Sequence, residues 1–142
     1  MALNRADYLT GSRRQSEFFS DFLNNMNMTP YANDLGKVSN SKSVNQSLRN
    51  IVKTNLGERL FNPDFGGNIY ASLFELIDSQ DFRTIEFIIE KTINANEPRV
   101  ILNQVLVEQQ EDDENAITVS IVYTLINNPE PITLELLLKR VR

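Results

Sequence analysis

The stretch Thr92-Ile93-Asn94-Ala95-Asn96-Glu97-Pro98-Arg99-Val100-Ile101-Leu102 decides the fold, because the spacing of apolar residues changes inside it. Before it, Phe82, Ile85, Ile88, Ile89, Thr92 and Ile93 recur with a helical period, while Arg83, Glu86, Glu90 and Lys91 take the opposite face. Pro98 drives Glu97 out of helical geometry, so a helix over 80–95 has to stop just before it. After Arg99 the period is two. Val100 to Glu108 reads as one strand, then Ile117, Val119, Ile121, Tyr123 and Leu125 alternate with Thr118, Ser120, Val122 and Thr124. Ile132, Leu134, Leu136 and Leu138 alternate with Thr133, Glu135, Leu137 and Lys139 in the same way. Strands over 100–108, 116–126 and 132–139, joined by short connections, predict an antiparallel meander.

The connections carry polar chemistry. Glu111, Asp112, Asp113 and Glu114 cluster in the first, but without the twelve-residue calcium-loop spacing and its glycine, so a solvated acidic turn is favoured over a cation site. Asn127-Asn128-Pro129-Glu130-Pro131 reads as a turn. The segment from Ile117 to Ile126 has no charge on either face, which suits a protected or partnered strand.

Upstream, Val44, Leu48, Ile51 and Val52, extended by Asn55 and Leu56, mark a helix over 43–56. Ser43 and Gln46 have capping-box spacing, and Gly57 suits a left-handed stop. Lys42, Arg49 and Lys53 line the other face, read as solvated. A turn-rich connector follows, whose two aromatics, Phe61 and Phe65, are expected to tuck inward, then a short helix over 67–77 with Ile69, Leu73, Leu76 and Ile77 inward, and Asp78 or Ser79 as cap of the next. The first forty residues read as an extended arm with local anchors, or a short amphipathic helix around Phe18, Phe19, Phe22, Leu23 and Met26, their aromatics packing on the domain body. The expectation is an α+β chain: an N-terminal arm over 1–40 and one domain over 41–142, with about three helices on one face of a three-stranded or slightly larger C-terminal sheet.

Composition removes much of the usual site chemistry. Among 142 residues there is no cysteine and no histidine, which excludes a disulfide frame, a thiolate nucleophile, a Ser-His-Asp relay and a Cys/His zinc site. No phosphate-binding glycine spacing occurs, so no cofactor is expected. No apolar run approaches the roughly 20 residues of a membrane span, and Met1 to Arg5 lacks the apolar region of a secretory signal, so the chain is expected in the cytosol that makes it. The net charge of −5 divides unevenly: residues 1–61 carry +3 and residues 62–142 carry −8. That balance lacks the dense basic footprint of a nucleic-acid binder and suits docking between unlike protein surfaces.

Four pieces in order, Thr54-Asn55-Leu56-Gly57-Glu58-Arg59, Asn62-Pro63-Asp64-Phe65-Gly66, Leu73-Phe74-Glu75 and Glu97-Pro98-Arg99, together with the three terminal strands, resemble the small baseplate wedge protein of contractile phage tails, the sheath initiator, which has a counterpart in the type VI secretion baseplate. The resemblance covers roughly residues 18–142 and leaves 1–17 as an added arm. It implies a structural, non-enzymatic virion protein that docks on the helical bundle of the large wedge subunits and on whose strands the first sheath ring assembles, with tube- or hub-proximal baseplate proteins as further neighbours. Carried onto this chain, Glu97, Pro98 and Arg99 become the docking motif, with Glu58, Arg59 and Phe65 as further partner-binding residues, and 100–138 the sheath template. Pro98 would present Glu97 and Arg99 with little freedom left to lose, and Arg99 can grip a carboxylate with two hydrogen bonds. The same residues could instead brace the corner, Glu97 pairing with Arg59 or Arg99. An adaptor of another contractile injection machine is the alternative. The family has also carried a lysozyme-like label, and a glycosidase needs only two carboxylates about 5–5.5 Å or about 6.5–9.5 Å apart, but neither Glu58, Asp64 nor Glu97 lies in a cleft-forming context.

Overall fold

The computed structural model describes residues 18–30, 33–75, 79–110 and 113–139. A two-stranded hairpin, β1 (Ser20–Phe22) and β2 (Lys37–Ser39), leads into α1 (Ser41–Lys53), α2 (Ile69–Glu75) and α3 (Ser79–Asn96). The chain then enters the three-stranded antiparallel sheet of β3 (Val100–Gln110), β4 (Asp113–Leu125) and β5 (Asn128–Lys139), in that spatial order. The α+β architecture and the change of period at Arg99 are as the sequence implies.

One face of the sheet is the core. On β4, Ile117, Val119, Ile121, Tyr123 and Leu125 are buried, as are Val105 and Val107 on β3 and Leu134, Leu136 and Leu138 on β5. Against them pack Val44, Leu48, Ile51 and Val52 of α1 and Ile85, Ile89 and Ile93 of α3. Phe82 and Ile88 join this layer from its margin, while Arg83 and Lys91 stay exposed. Because β4 is hydrogen-bonded on both sides, the absence of charge from Ile117 to Leu125 reflects a central position in the sheet.

Several local expectations are corrected. The short amphipathic helix is replaced by the hairpin, in which Ser20 pairs Ser39 and Phe22 pairs Lys37. Of its aromatics only Phe19 packs on the core; Phe18 and Phe22 are exposed. The capping box does not form: α1 begins at Ser41, two residues earlier, so Ser43 lies inside the helix, fully buried, with no hydrogen-bond partner for its hydroxyl among the described residues. Gln46 instead ties the hairpin down, its amide donating to the Phe22 carbonyl at 2.6 Å and accepting the Asn24 N–H at 3.3 Å. Asn24 and Asn50 add a reciprocal amide pair at 2.9 and 3.1 Å.

Helix α1 also ends earlier than expected. Thr54 is extended, and its N–H and hydroxyl both donate to the Asn50 carbonyl, which leaves Leu56 half exposed in the following turn. Both sheet connections are tighter than the sequence suggests. Gln110 pairs with Asp113, and Asp113 forms an ion pair with Lys139 at 2.6 Å. The second turn is only Ile126-Asn127, since Leu125 pairs with Asn128, and Pro129 and Pro131 already belong to β5. Leu76, Ile77, Asp78, Glu111 and Asp112 lie outside the described residues, as do the side chains of Leu73, Ser79 and Glu114.

Candidate functional site

Glu97 closes the last turn of α3, its N–H still donating to the Ile93 carbonyl at 2.8 Å, and Pro98 then turns the chain into β3. Across that proline the Arg99 guanidinium returns to the Glu97 carboxylate, Nε to Oε1 and Nη2 to Oε2, both at 2.6 Å. Glu97 is buried while the Arg99 side chain keeps 29% of its exposure. Burial alone would push the Glu97 carboxyl up, but the Arg99 side chain, the Ser47 hydroxyl, the Arg99 charge and the Arg99 N–H together hold it below the ordinary glutamate value. The Arg99 guanidinium also lies 5.5 Å from the centroid of the Phe19 ring. The corner is thus fastened to α1 through Ser47 and to the N-terminal hairpin through Phe19.

Tyr123 extends this polar cluster beneath the helices. Fully buried on β4, it donates its hydroxyl to Asn45 Oδ1 of α1 at 2.7 Å. Burial, with a smaller contribution from the Glu97 charge, pushes its hydroxyl up to about 12.

Of the two pairings open to Glu97, the structure forms the one with Arg99. Arg59 is engaged elsewhere, 3.6 Å above the centroid of the buried Phe65 ring. Glu58 lies in the same connector, its two carboxylate oxygens accepting from the N–H and side-chain amide of Asn55, both at 2.9 Å, which lowers its carboxyl below the ordinary value. Glu58, Arg59 and Phe65 therefore group in a loop of their own, apart from the direct bonds of the Glu97–Arg99 corner.

That loop is closed at its base by glycine. The Gly67 N–H donates to the Thr54 carbonyl at 3.2 Å, and a Cβ on Gly66, whose φ is +98°, would lie 2.3 Å from the same oxygen. Gly57 bridges to the Pro63 carbonyl at 2.9 Å, its positive φ serving this turn and not the end of α1. Between these fastenings Leu60 and Phe61 stand in solvent. The expectation that both connector aromatics tuck inward holds for Phe65 and is corrected for Phe61, and Leu60 carries no signal in the sequence that sets it apart.

The two edges of the sheet differ. On β3, Glu86 of α3 accepts the Val107 N–H at 3.0 Å, and the register shifts around Asn103. Both features blunt an edge against further pairing. The bond from Val107 also sets the direction of the backbone groups in the unbroken register around it, because these alternate sides residue by residue. Val107 points away from β4, so Val119 opposite it turns toward β5, and Leu136 opposite Val119 returns those bonds. Thr133, Glu135 and Leu137 therefore direct their N–H and C=O groups outward, and Pro131, which has no donor, falls on the same alternation.

Comparison with known proteins places this architecture. Residues 38–130 match the family model described as baseplate wedge protein gp25. The baseplate wedge protein gp25 of Enterobacteria phage T4 is 32% identical over 117 residues, covering 82% of this chain and 87% of that protein. The crystal structure of a putative tail lysozyme from Geobacter sulfurreducens superposes with a TM-score of 0.67 at 25% identity, over 74% of this chain and 96% of that one. A chain of the anti-feeding prophage baseplate gives 0.69 at 24% identity, over 79% and 89%, and one from the type VI secretion baseplate complex shares the fold at 15% identity with a TM-score of 0.61, over 71% and 93%. With two thirds of its length inside the family model and a phage relative matched almost end to end, the chain belongs to the baseplate wedge protein gp25 family.

Proposed function

We propose that this chain is a structural subunit of a contractile-tail baseplate that docks on the large wedge subunits through the Glu97-Pro98-Arg99 corner and starts the sheath by accepting a strand on β5. The observation that carries the reading is the outer edge of β5, on which no strand lies among the described residues, with donors at Thr133, Glu135 and Leu137, in a member of a baseplate wedge family. Docking is supported by the exposed Pro98 and the partly exposed Arg99, held so that little ordering is left for binding. The same two residues brace the corner, and one arginine serves both roles.

A glycosidase is the competing reading. A general acid needs a raised carboxyl pKa, whereas Glu58 and Glu97 are both lowered, and Glu97 has its two oxygens occupied by Arg99. These features favour a non-catalytic role; the proposal further takes assembly to occur in the host cytoplasm, with sheath and wedge subunits as direct partners and tube- or hub-proximal proteins nearby. A cryo-EM map of the intact tail tests the proposal: density continuing the sheet beyond β5 supports it. A sheath contact on the basic face of Lys42, Arg49 and Lys53 overturns strand addition, and absence of the chain from the baseplate overturns the whole reading.

A further inference from the structure

The loop between Thr54 and Gly67 uses many polar contacts to hold two apolar side chains away from the protein. Leu60 is 85% exposed and Phe61 wholly exposed, with Leu56 half exposed beside them. Phe61 also has a φ of +71°, in the left-handed region that a bulky side chain avoids. A slack loop would relax that torsion and lay the ring on the nearest apolar surface. This one cannot, because the Thr54–Gly67 and Gly57–Pro63 bonds, the Asn55–Glu58 turn and the Arg59–Phe65 stack fix it along its length.

We propose that Leu60 and Phe61 form a preorganised apolar plug that seats in an uncharged, concave pocket of an adjoining protein subunit. The proposal rests on the assembly reading above only in requiring such a neighbour. Glu58, Arg59 and Phe65 are then positioning residues that aim the plug. The charges beside it select the kind of partner. A lipid surface favours basic residues around an apolar tip, whereas here Glu58 and Asp64 flank it, Arg59 is drawn back over Phe65, and the chain carries −5 overall. Glu58 is hydrogen-bonded within the loop and Arg59 is held over the Phe65 ring, so the apolar pair and not either charge forms the projecting tip. Among the described residues, the groove of about 420 Å³ beside Phe18 and Ile132 is lined also by Asn40, Asn127, Asn128 and Glu130, which makes it a poor receptor for the plug of a second copy.

The test uses the full chain in baseplates assembled from its own tail genes. Phe61→Gly removes an exposed ring and relieves the positive φ, so the melting temperature of the isolated chain should not fall, while incorporation in competition with wild type should drop by about tenfold, as for an interface anchor. Leu60→Ser should act in the same direction with its backbone unchanged. A photo-cross-linking residue at 61 should join the chain to apolar residues of one different baseplate protein. Unchanged incorporation of both variants would overturn the plug and leave the baseplate reading standing. A melting temperature that falls in step with incorporation would overturn it by assigning the loop a structural role. Cross-linking to a second copy, or Phe61-dependent flotation with phosphatidylcholine/phosphatidylserine vesicles, would overturn it by assigning another occupant, and baseplates lacking even the wild-type chain would overturn both readings.

Discussion

Arg99 and Glu97 face each other across a single proline, the guanidinium matching both carboxylate oxygens at 2.6 Å. Since Glu97 is buried and Arg99 only partly so, the arginine is the member whose loss leaves a charge stranded. Arg99→Ala is therefore expected to destabilise the isolated chain by about 3 kcal/mol, and Arg99→Lys by less, because an ammonium keeps a positive charge beside Glu97 although it cannot grip both oxygens. Thermal or urea unfolding reads both. If the folded fraction of Arg99→Ala still enters wedges, the corner is a brace; if it is excluded, the same arginine also docks.

The acid limb of stability should carry the signature of Glu97. Its carboxyl is lower folded than unfolded, so the stabilisation is fully present above the unfolded value near ~4.3 and fades as pH falls through the folded value. Arg99→Ala removes the largest group of lowering contacts and should move the acid unfolding midpoint upward. Circular dichroism across pH 2–6 would check it, and an unmoved midpoint would contradict the buried pair.

Tyr123 governs the alkaline limb with the opposite sign. Its hydroxyl ionises near ~10 when unfolded but at about 12 when folded, so stability should fall as pH rises between those values, by up to about 3 kcal/mol. Tyr123→Phe should lessen that fall, while costing about 1–2 kcal/mol at neutral pH because Asn45 Oδ1 loses its donor. Unfolding of both proteins at pH 7 and pH 11 measures the difference.

The two positive-φ glycines of the connector should respond unequally. At Gly57 (φ +81°) a Cβ meets open space, so Gly57→Ala should cost about 1 kcal/mol from backbone strain alone. At Gly66 the added carbon meets the Thr54 carbonyl at 2.3 Å, so Gly66→Ala should cost about 3 kcal/mol and loosen the loop base. Equal losses in denaturant unfolding would mean that the close approach to Thr54 is not a constraint.

Strand addition makes a directional prediction on β5. Glu135→Pro removes an outward N–H and spares the ladder to β4, so the chain should fold and enter baseplates but fail to bind sheath subunits. Glu135→Gln should be mild. Leu136→Pro breaks an inward bond and should cost about 3 kcal/mol or more. Co-sedimentation of sheath subunits with baseplates, compared across the three, decides it: similar behaviour of Glu135→Pro and Glu135→Gln would end the mechanism.

The large elements were legible because each carries a period over many residues, as at Ile85, Ile89 and Ile93 or Ile117, Val119 and Ile121. What misled was local chemistry overridden by tertiary contacts. Gln46 has a good capping partner in Ser43 but bonds the hairpin, and the prolines at 129 and 131 look like a turn although an edge strand tolerates them on its outer side. At the candidate site, the residue types at the corner were readable, whereas the choice of Arg99 over Arg59 as the partner of Glu97 depends on a stack with Phe65 that no spacing reveals. The exposure of Phe61 was hidden for the same reason: it follows from a loop closed by Gly66, and closure is a property of the fold.

Glu86, by occupying Val107 on one side of the sheet, limits how many neighbours the sheet can recruit. With two free edges, copies of this chain could stack on each other without end; among the described residues only the β5 edge is open, which would make the subunit monovalent. A pair of copies could join β5 to β5, but growth into a fibre would then have to use β3, the edge that Glu86 and the register shift blunt. Anything that continues from β5 must bring its own second edge. If β5 accepts a strand as proposed, a junction of one added strand for each copy would be enforced from the opposite side of the sheet, by the Glu86 carboxylate and the register shift at Asn103.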